Sequence, residues 1–305
     1  KLLDSHRLNS SFLGKHTMSE RKIAQTSKGP MEYQITGAPP YVLHSHGTPS
    51  DCTPTYLQEW ITQAGIGVIS ISRPGYGATP LSTGPLFADQ ADAISALLDE
   101  LSIEQVAIYG VSGGGPTSIE FAARHPDRVA ALMLECAISI KRVYPWYAAM
   151  LINSFFSFLT KIFVKLAPNV MVAEMVKGES TLNKADQTRI TNSILSSPDK
   201  LKPLLKLILS QPPNSTLREG ANNDMKAFGI LERSPFEKVK CPTFIAHGTH
   251  DADVPFIHAQ TAAKEIEGAQ LFAVDKGFHL LALGDHADEL RLAQIDFLKK
   301  YLRIS

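Results

Sequence analysis

Val106-Ala107-Ile108-Tyr109-Gly110-Val111-Ser112-Gly113-Gly114-Gly115-Pro116 moves from an apolar, β-rich run, through a serine framed by glycines, into a segment opened by proline. The run VAIY reads as a buried strand and residues 116–124 as a helix, so the pattern G-x-S-x-G lies on a strand–turn–helix corner. A turn that tight leaves no room for side chains beside the serine, and glycine is the residue that fits. The serine Oγ is therefore expected at a helix N-terminus, where the helix dipole favours developing negative charge. A glycine-rich phosphate loop is the other reading of such a corner. A Walker loop needs Gly-Lys-Ser/Thr, and Gly115-Pro116-Thr117 has no lysine.

Outward from this corner, short apolar runs alternate with helical patterns, the signature of a mostly parallel sheet flanked by helices. Strands are expected at 31–36 (an early edge strand), 41–46, 67–72, 105–109 and 129–134, with helices at 55–64, 88–101 and 116–124. From 139 to 233 the alternation stops and the chain reads as helical, apolar and rich in Phe, Leu, Ile and Lys. It resumes with a strand at 243–246, a helix at 256–266, a strand at 270–274 and a final helix at 287–301. The expected organisation is one α/β core made of 25–138 and 234–305, with 139–233 inserted as a helical cap. Residues 1–24 are expected to be a flexible arm or an appended segment, with Met18 a candidate native start.

Composition bounds the function class. The chain has 305 residues, 44% apolar and 20% charged, and 30 basic against 30 acidic residues give no net charge. Without a basic excess there is no electrostatic footprint for nucleic acid. The three cysteines, Cys52, Cys136 and Cys241, form no CxxC pair, which points to reduced, buried thiols and a cytoplasmic setting rather than a disulfide framework. No secretory signal is evident at the N-terminus, and the longest apolar stretch, 143–159, is interrupted by Asn153, Ser154 and Ser157. Stable membrane insertion is not expected.

A serine hydroxyl needs a base to become a nucleophile. Of ten histidines, His279 lies in a loop, Asp275-Lys276-Gly277-Phe278-His279, just after the last expected strand. Loops at strand C-termini share one edge of a parallel sheet with the Ser112 corner. An acid to orient His279 is expected in His247-Gly248-Thr249-His250-Asp251-Ala252-Asp253, after the strand at 243–246. Asp251 at the turn is the leading candidate, with Asp253 and then Glu135 as competitors. The order Ser112, Asp251, His279 gives nucleophile, acid and base in sequence. The backbone N–H groups of Gly113 and Thr48 are the expected oxyanion-hole donors.

The set HGTP (46–49), SRPGYG (72–77), GVSGGGP (110–116), GTHDADVP (248–255) and GFH (277–279) resembles the α/β-hydrolase superfamily, in the branch that carries HGTP, RPGYG and SGGGP motifs. The resemblance covers about 25–137 and 236–303. It implies an α/β-hydrolase fold and the roles just given for Ser112, Asp251, His279, Thr48 and Gly113. Two departures stand out: Ser72 where relatives often have Asp, and Phe278 where Gly is common before the histidine. Relatives that open carbon–halogen bonds or epoxides carry Asp at the elbow, and Ser112 argues against both activities.

The resulting expectation is a serine carboxylesterase that works without cofactor or metal on an uncharged, largely apolar ester, as a monomer or homodimer. Met150, Leu151, Phe155, Phe156, Phe158, Leu159, Phe163 and Leu166, in the segment from Tyr144 to Val176, would supply cap core and part of an apolar acyl pocket. Lys161 and Lys165 beside the Phe run leave a membrane-surface helix as a further reading. The same triad could act on an amide, a lactone or a C–C bond, or run perhydrolysis, because the pocket decides. A non-catalytic ligand receptor on the same fold is a reading of a different class. A metal hydrolase, suggested by His44-x-His46 and His247/His250, lacks the second Asp-His that binuclear lactonases require.

Overall fold

Successive side chains of a strand face opposite sides of its sheet, so a sheet covered by helices on both faces needs strands that are apolar throughout. The central strands meet that requirement over most of their length, with His44, Ser45 and Ser70 as buried polar exceptions. In the computed structural model, which describes residues 20–53, 56–145, 166–210 and 216–304, Val42 and Leu43, Val68 and Ile69, Ala107 and Ile108, and Leu132 and Met133 alternate between two separate buried cores.

Eight strands form one sheet: β1 (Lys22–Thr26), β2 (Gly29–Thr36), β3 (Tyr41–Ser45), β4 (Gly67–Ile71), β5 (Val106–Val111), β6 (Val129–Glu135), β7 (Thr243–Gly248) and β8 (Gln270–Val274). Their spatial order is β1-β2-β4-β3-β5-β6-β7-β8. Strands β3 to β8 run parallel, whereas β1 and β2 form an antiparallel hairpin at one edge. One face is covered by α2 (Phe87–Glu100) and α3 (Gly115–Arg124), the other by α1 (Tyr56–Gln63).

The hairpin corrects two expectations. The arm was expected to reach residue 24, but Lys22–Thr26 pairs with Gly29–Tyr33 across the Ser27-Lys28 turn. The strand at 31–36 is consequently second from the edge rather than the edge itself. The sequence signal was weak because KIAQT buries none of its five side chains fully. Residues 1–19 lie outside the described residues.

Between β6 and β7 the described residues hold four helices and no named strand: α4 (Pro168–Gly178), α5 (Lys184–Ser196), α6 (Pro198–Ser210) and α7 (Arg218–Ile230). The ends of this excursion meet. Ile140 bridges Arg233 antiparallel, and the Ser234 N–H donates to the Ser139 carbonyl at 3.0 Å. Helices α4 to α6 have their own apolar core of Val172, Val176, Leu182, Ile190, Ile194 and Leu204. Phe278 and Leu283, from the loops after β8, enter that core. The chain closes with α8 (Ile257–Glu265) on the α2/α3 face and α9 (Ala287–Leu302) on the α1 face. The expected cap residues 150, 151, 155, 156, 158, 159 and 163, and Lys161 and Lys165, lie outside the described residues. Leu166 is strongly exposed, and Tyr144 packs beside Phe228. Among the described residues no helix is long and apolar enough to cross a membrane.

Candidate active site

The parallel strands end on one sheet edge, and the loops that follow β3, β5, β7 and β8 converge there. Strand β5 carries Gly110 and Val111 into Ser112, which opens a 3-10 turn and then α3. Ser112 is held at φ +49°, in the left-handed region that non-glycine residues avoid. Such a conformation costs roughly 1–3 kcal/mol and persists only where the surroundings over-determine it. Here the surroundings are backbone. A Cβ on Gly114 would run into the carbonyl oxygens of Ser45 and His46, and one on Gly115 would strike the Ile138 carbonyl. Gly114→Ala is accordingly expected to destabilise the protein by about 3 kcal/mol, measured as a lower urea midpoint at unchanged m value.

The loop after β8 brings His279 over Ser112. The imidazole Nε2 lies 3.1 Å from Ser112 Oγ, and Nδ1 lies 2.8 Å from Asp251 Oδ2. Asp251 is buried at the turn after β7. Its Oδ1 accepts the N–H groups of Asp253 (2.9 Å) and Val254 (2.8 Å), and His247 Nε2 approaches Oδ2 at 3.4 Å. The structure therefore brings Ser112, His279 and Asp251 together as one hydrogen-bonded chain.

The two competitors for the acid sit differently. Asp253 approaches His279 from the Nε2 side, at 3.5 Å, and remains about one-third exposed. Glu135 accepts from the Tyr109 hydroxyl at 2.6 Å and from Gln294 Nε2 at 2.8 Å, on the α9 face. Of the histidines of the metal reading, His247 lies against Asp251, and His46 is engaged away from the triad. His46 Nε2 accepts the Arg73 N–H at 3.1 Å, which leaves its proton on Nδ1, 2.7 Å from the Gly47 carbonyl. Among the described residues, the two trios whose possible ligand atoms lie close together are Cys136/Asp251/His279 and Glu179/Asp253/His279. His44 and His46 belong to neither.

The electrostatics follow from this packing. Burial would raise the Asp251 carboxyl, but hydrogen bonds and charge from His247 and His279 outweigh it and hold the group below its ordinary value. Burial would depress His279, yet the Asp251 hydrogen bond and the charges of Asp251, Asp253 and Glu179 raise it above the ordinary imidazole value. Glu179, just after α4, is lifted to about 6, chiefly by burial, and its Oε2 is buried without a hydrogen-bond partner among the described residues.

Sequence reasoning missed how the residues after α4 are joined to this site. The Glu179 carbonyl accepts the N–H groups of Ala252 (3.2 Å) and His279 (3.3 Å), and Thr181 N–H donates to the His250 carbonyl at 2.9 Å. These are main-chain bonds, which side-chain patterns do not encode.

The expected donor loops also converge. The Cβ position of Gly47 lies 3.1 Å from Ser112 Cβ, and that of Gly113 meets the Thr48 hydroxyl and, at 3.1 Å, Phe228 Cζ. Phe228 of α7 belongs to a buried apolar cluster with Phe87, Ile138, Ala227 and Val254. Ile138 is tied to the elbow through its N–H, which donates to the Ser112 carbonyl at 3.0 Å.

Known proteins share this plan. A family model described as the alpha/beta hydrolase fold matches residues 46–285. The chain is similar to the uncharacterized hydrolase YcgS of Bacillus subtilis strain 168, with 27% identity over 89% of this chain and 95% of that protein. It is 26% identical to a 2-hydroxy-6-oxononadienedioate/2-hydroxy-6-oxononatrienedioate hydrolase of Cupriavidus pinatubonensis, over 79% of this chain and 78% of that one. Among solved structures, an alpha/beta hydrolase fold protein from Nakamurella multipartita superposes with a TM-score of 0.83 at 28% identity, covering 92% of this chain and 99% of the other. The family match spans the elbow and the loops that bear Asp251 and His279, and the chain belongs to the α/β-hydrolase fold family.

Proposed function

We propose that the protein is a serine carboxylesterase in which Ser112 attacks the carbonyl carbon of an uncharged, largely apolar ester. The observation that carries this reading is the continuous chain from Ser112 Oγ to His279 Nε2 (3.1 Å) and from His279 Nδ1 to Asp251 Oδ2 (2.8 Å). His279 takes the Ser112 proton as the Oγ–C bond forms, and the carbonyl oxygen becomes an oxyanion held by the N–H groups of Thr48 and Gly113. The same imidazole then protonates the departing alcohol, leaving an acyl group on Ser112. Water, deprotonated by His279, releases the acid and restores the serine. Asp251 keeps the imidazole in the tautomer that presents an acceptor to Ser112 and stabilises the imidazolium.

The apolar cluster of Phe87, Ile138, Phe228 and Val254 against the elbow supports an apolar acyl group. The likeness to the Cupriavidus hydrolase, whose name describes an unsaturated hydroxy-oxo dicarboxylate, favours cleavage of a C–C bond as a second reading. A panel of p-nitrophenyl esters, anilides, lactones and 1,5-diketones separates them. Esters are expected to turn over fastest. Turnover of the diketones with none of the esters would overturn the ester assignment while keeping the triad.

The acidic surroundings of His279 set the pH dependence. Only the neutral imidazole accepts the serine proton, so activity falls as pH drops through the His279 pKa. Because that pKa is raised above 6.5, the acid limb of kcat/KM is expected to centre above pH 6.5. Glu179→Gln removes one of the charges that raises it and is expected to move the limb to lower pH, as read from full kcat/KM profiles of the two proteins.

A further inference from the structure

The RPGYG motif contributes no atom to the triad, yet it contains a fully buried arginine. Arg73 and Asp224 are both sealed from solvent and form a bidentate pair, Nη2 to Oδ2 at 2.6 Å and Nη1 to Oδ1 at 3.1 Å. Asp224 lies on α7, in the excursion between β6 and β7, and Arg73 follows β4. The pair is not isolated. Asp224 Oδ2 also accepts the Tyr76 hydroxyl at 2.5 Å and the Thr48 hydroxyl at 2.5 Å, and Arg73 Nη2 donates to Thr48 Oγ1 at 3.0 Å. Arg73 Nε donates to the His46 carbonyl at 3.0 Å. Both ends of the His46–Thr48 loop are thus bonded to one carboxylate–guanidinium pair.

The seat of α7 is a close backbone approach that leaves no room for a side chain at Gly75 or Gly220. The Gly220 N–H donates to the Gly75 carbonyl at 2.8 Å, and the Gly77 N–H to the Thr216 carbonyl at 2.9 Å. A Cβ on Gly75, which sits at φ +86°, would come within 2.7 Å of Gly220 Cα. One helical turn beyond Asp224, on the same face of α7, Phe228 lies over Gly113. A single helix face therefore touches both loops on which the oxyanion hole depends.

We propose that α7 is a positioning element of the catalytic site. Asp224 fixes the Thr48 loop through the threonine hydroxyl and Arg73, Phe228 backs Gly113, and the two N–H donors hold their spacing only while α7 is seated. The inference rests on the serine-hydrolase reading and adds to it that the helices over the sheet are part of the machinery for transition-state binding, beyond lining a pocket. Donor geometry matters because the oxyanion forms only in the transition state, so a loosened hole lowers kcat and leaves ground-state binding nearly unchanged.

Thr48→Val and Thr48→Ser test this. Valine keeps the shape of threonine and removes the hydroxyl that ties the loop to Asp224 and Arg73; serine keeps the hydroxyl. On a p-nitrophenyl ester, Thr48→Val is expected to lower kcat about tenfold or more with KM within about twofold. The rate at which a fluorophosphonate labels the protein is expected to fall in parallel. Thr48→Ser is expected to restore both to within about threefold of wild type. Wild-type kcat and labelling in Thr48→Val overturns the inference, and so does an equal loss in both variants, which would assign the effect to packing. Ser112→Ala is run alongside. If it is labelled and turns over like wild type, the hydrolase reading itself fails; if it is inert while Thr48→Val is unaffected, only the role of α7 fails.

Discussion

Ser112→Ala is expected to lower kcat by about 10⁴-fold or more on any substrate the protein turns over, with the fold intact. The size follows from the chemistry. Deleting Oγ removes the atom that forms the bond to carbon, and His279 is left with only water to activate. The fold should survive because the change deletes one buried oxygen whose partner is the half-buried His279. The backbone at +49° is enforced by the contacts around Gly114 and Gly115 rather than by the serine side chain. Steady-state kinetics with a thermal melt checks both halves, and a melting temperature within a few degrees of wild type separates lost chemistry from lost structure.

The second large effect is at Asp251. Asp251→Asn keeps the shape of the side chain but offers His279 Nδ1 either an amide donor or a neutral oxygen. The imidazole then loses both the fixed tautomer and the charge that stabilises its protonated form. A fall in kcat of about 10³–10⁴-fold is expected, as is usual when a triad carboxylate becomes an amide. Asp253→Asn is the control two residues away. Its carboxylate faces the other imidazole nitrogen at 3.5 Å and is about one-third exposed, so its loss is expected to cost about tenfold at most. Reversed magnitudes would reassign the acid to Asp253. Because Asp251 Oδ1 also caps the turn at Asp253 and Val254, some loss of stability accompanies the first variant and little the second.

The parallel core was legible because its strands satisfy two faces at once: GVISI and VAIYGV are predominantly apolar and buried on both faces, and each is followed by a segment of helical period. The edge hairpin was not legible at its first strand, since KIAQT has no buried side to pattern. At the site, the elbow was legible from its glycine pattern, a signal local in sequence, although the backbone that demands glycine at Gly114 and Gly115 comes from the distant Ser45, His46 and Ile138. The choice between Asp251 and Asp253 was open at that level because both lie in one polar turn. Folded, the turn directs one toward Nδ1 and leaves the other at its rim.

The Arg73–Asp224 pair shows what local reading misses. Its partners are 151 residues apart, and each alone looks like an ordinary surface charge. The available signal was the place of Arg73, between a wholly buried strand and a glycine turn, where an unpaired guanidinium would be costly and a buried partner is required. Phe278 carries a similar lesson. It stood out as a departure before the histidine, and it is the side chain that plants the His279 loop in the apolar core of α4 to α6.

Turnover by this triad requires that Ser112 become covalently acylated. Brief exposure to a fluorophosphonate, followed by digestion and mass spectrometry, tests it most directly. One phosphonyl adduct per chain is expected, on the peptide that contains Ser112, absent from Ser112→Ala and slow to form in Asp251→Asn. Labelling of Ser112→Ala at the wild-type rate, or an adduct on another residue of the wild-type protein, would contradict it.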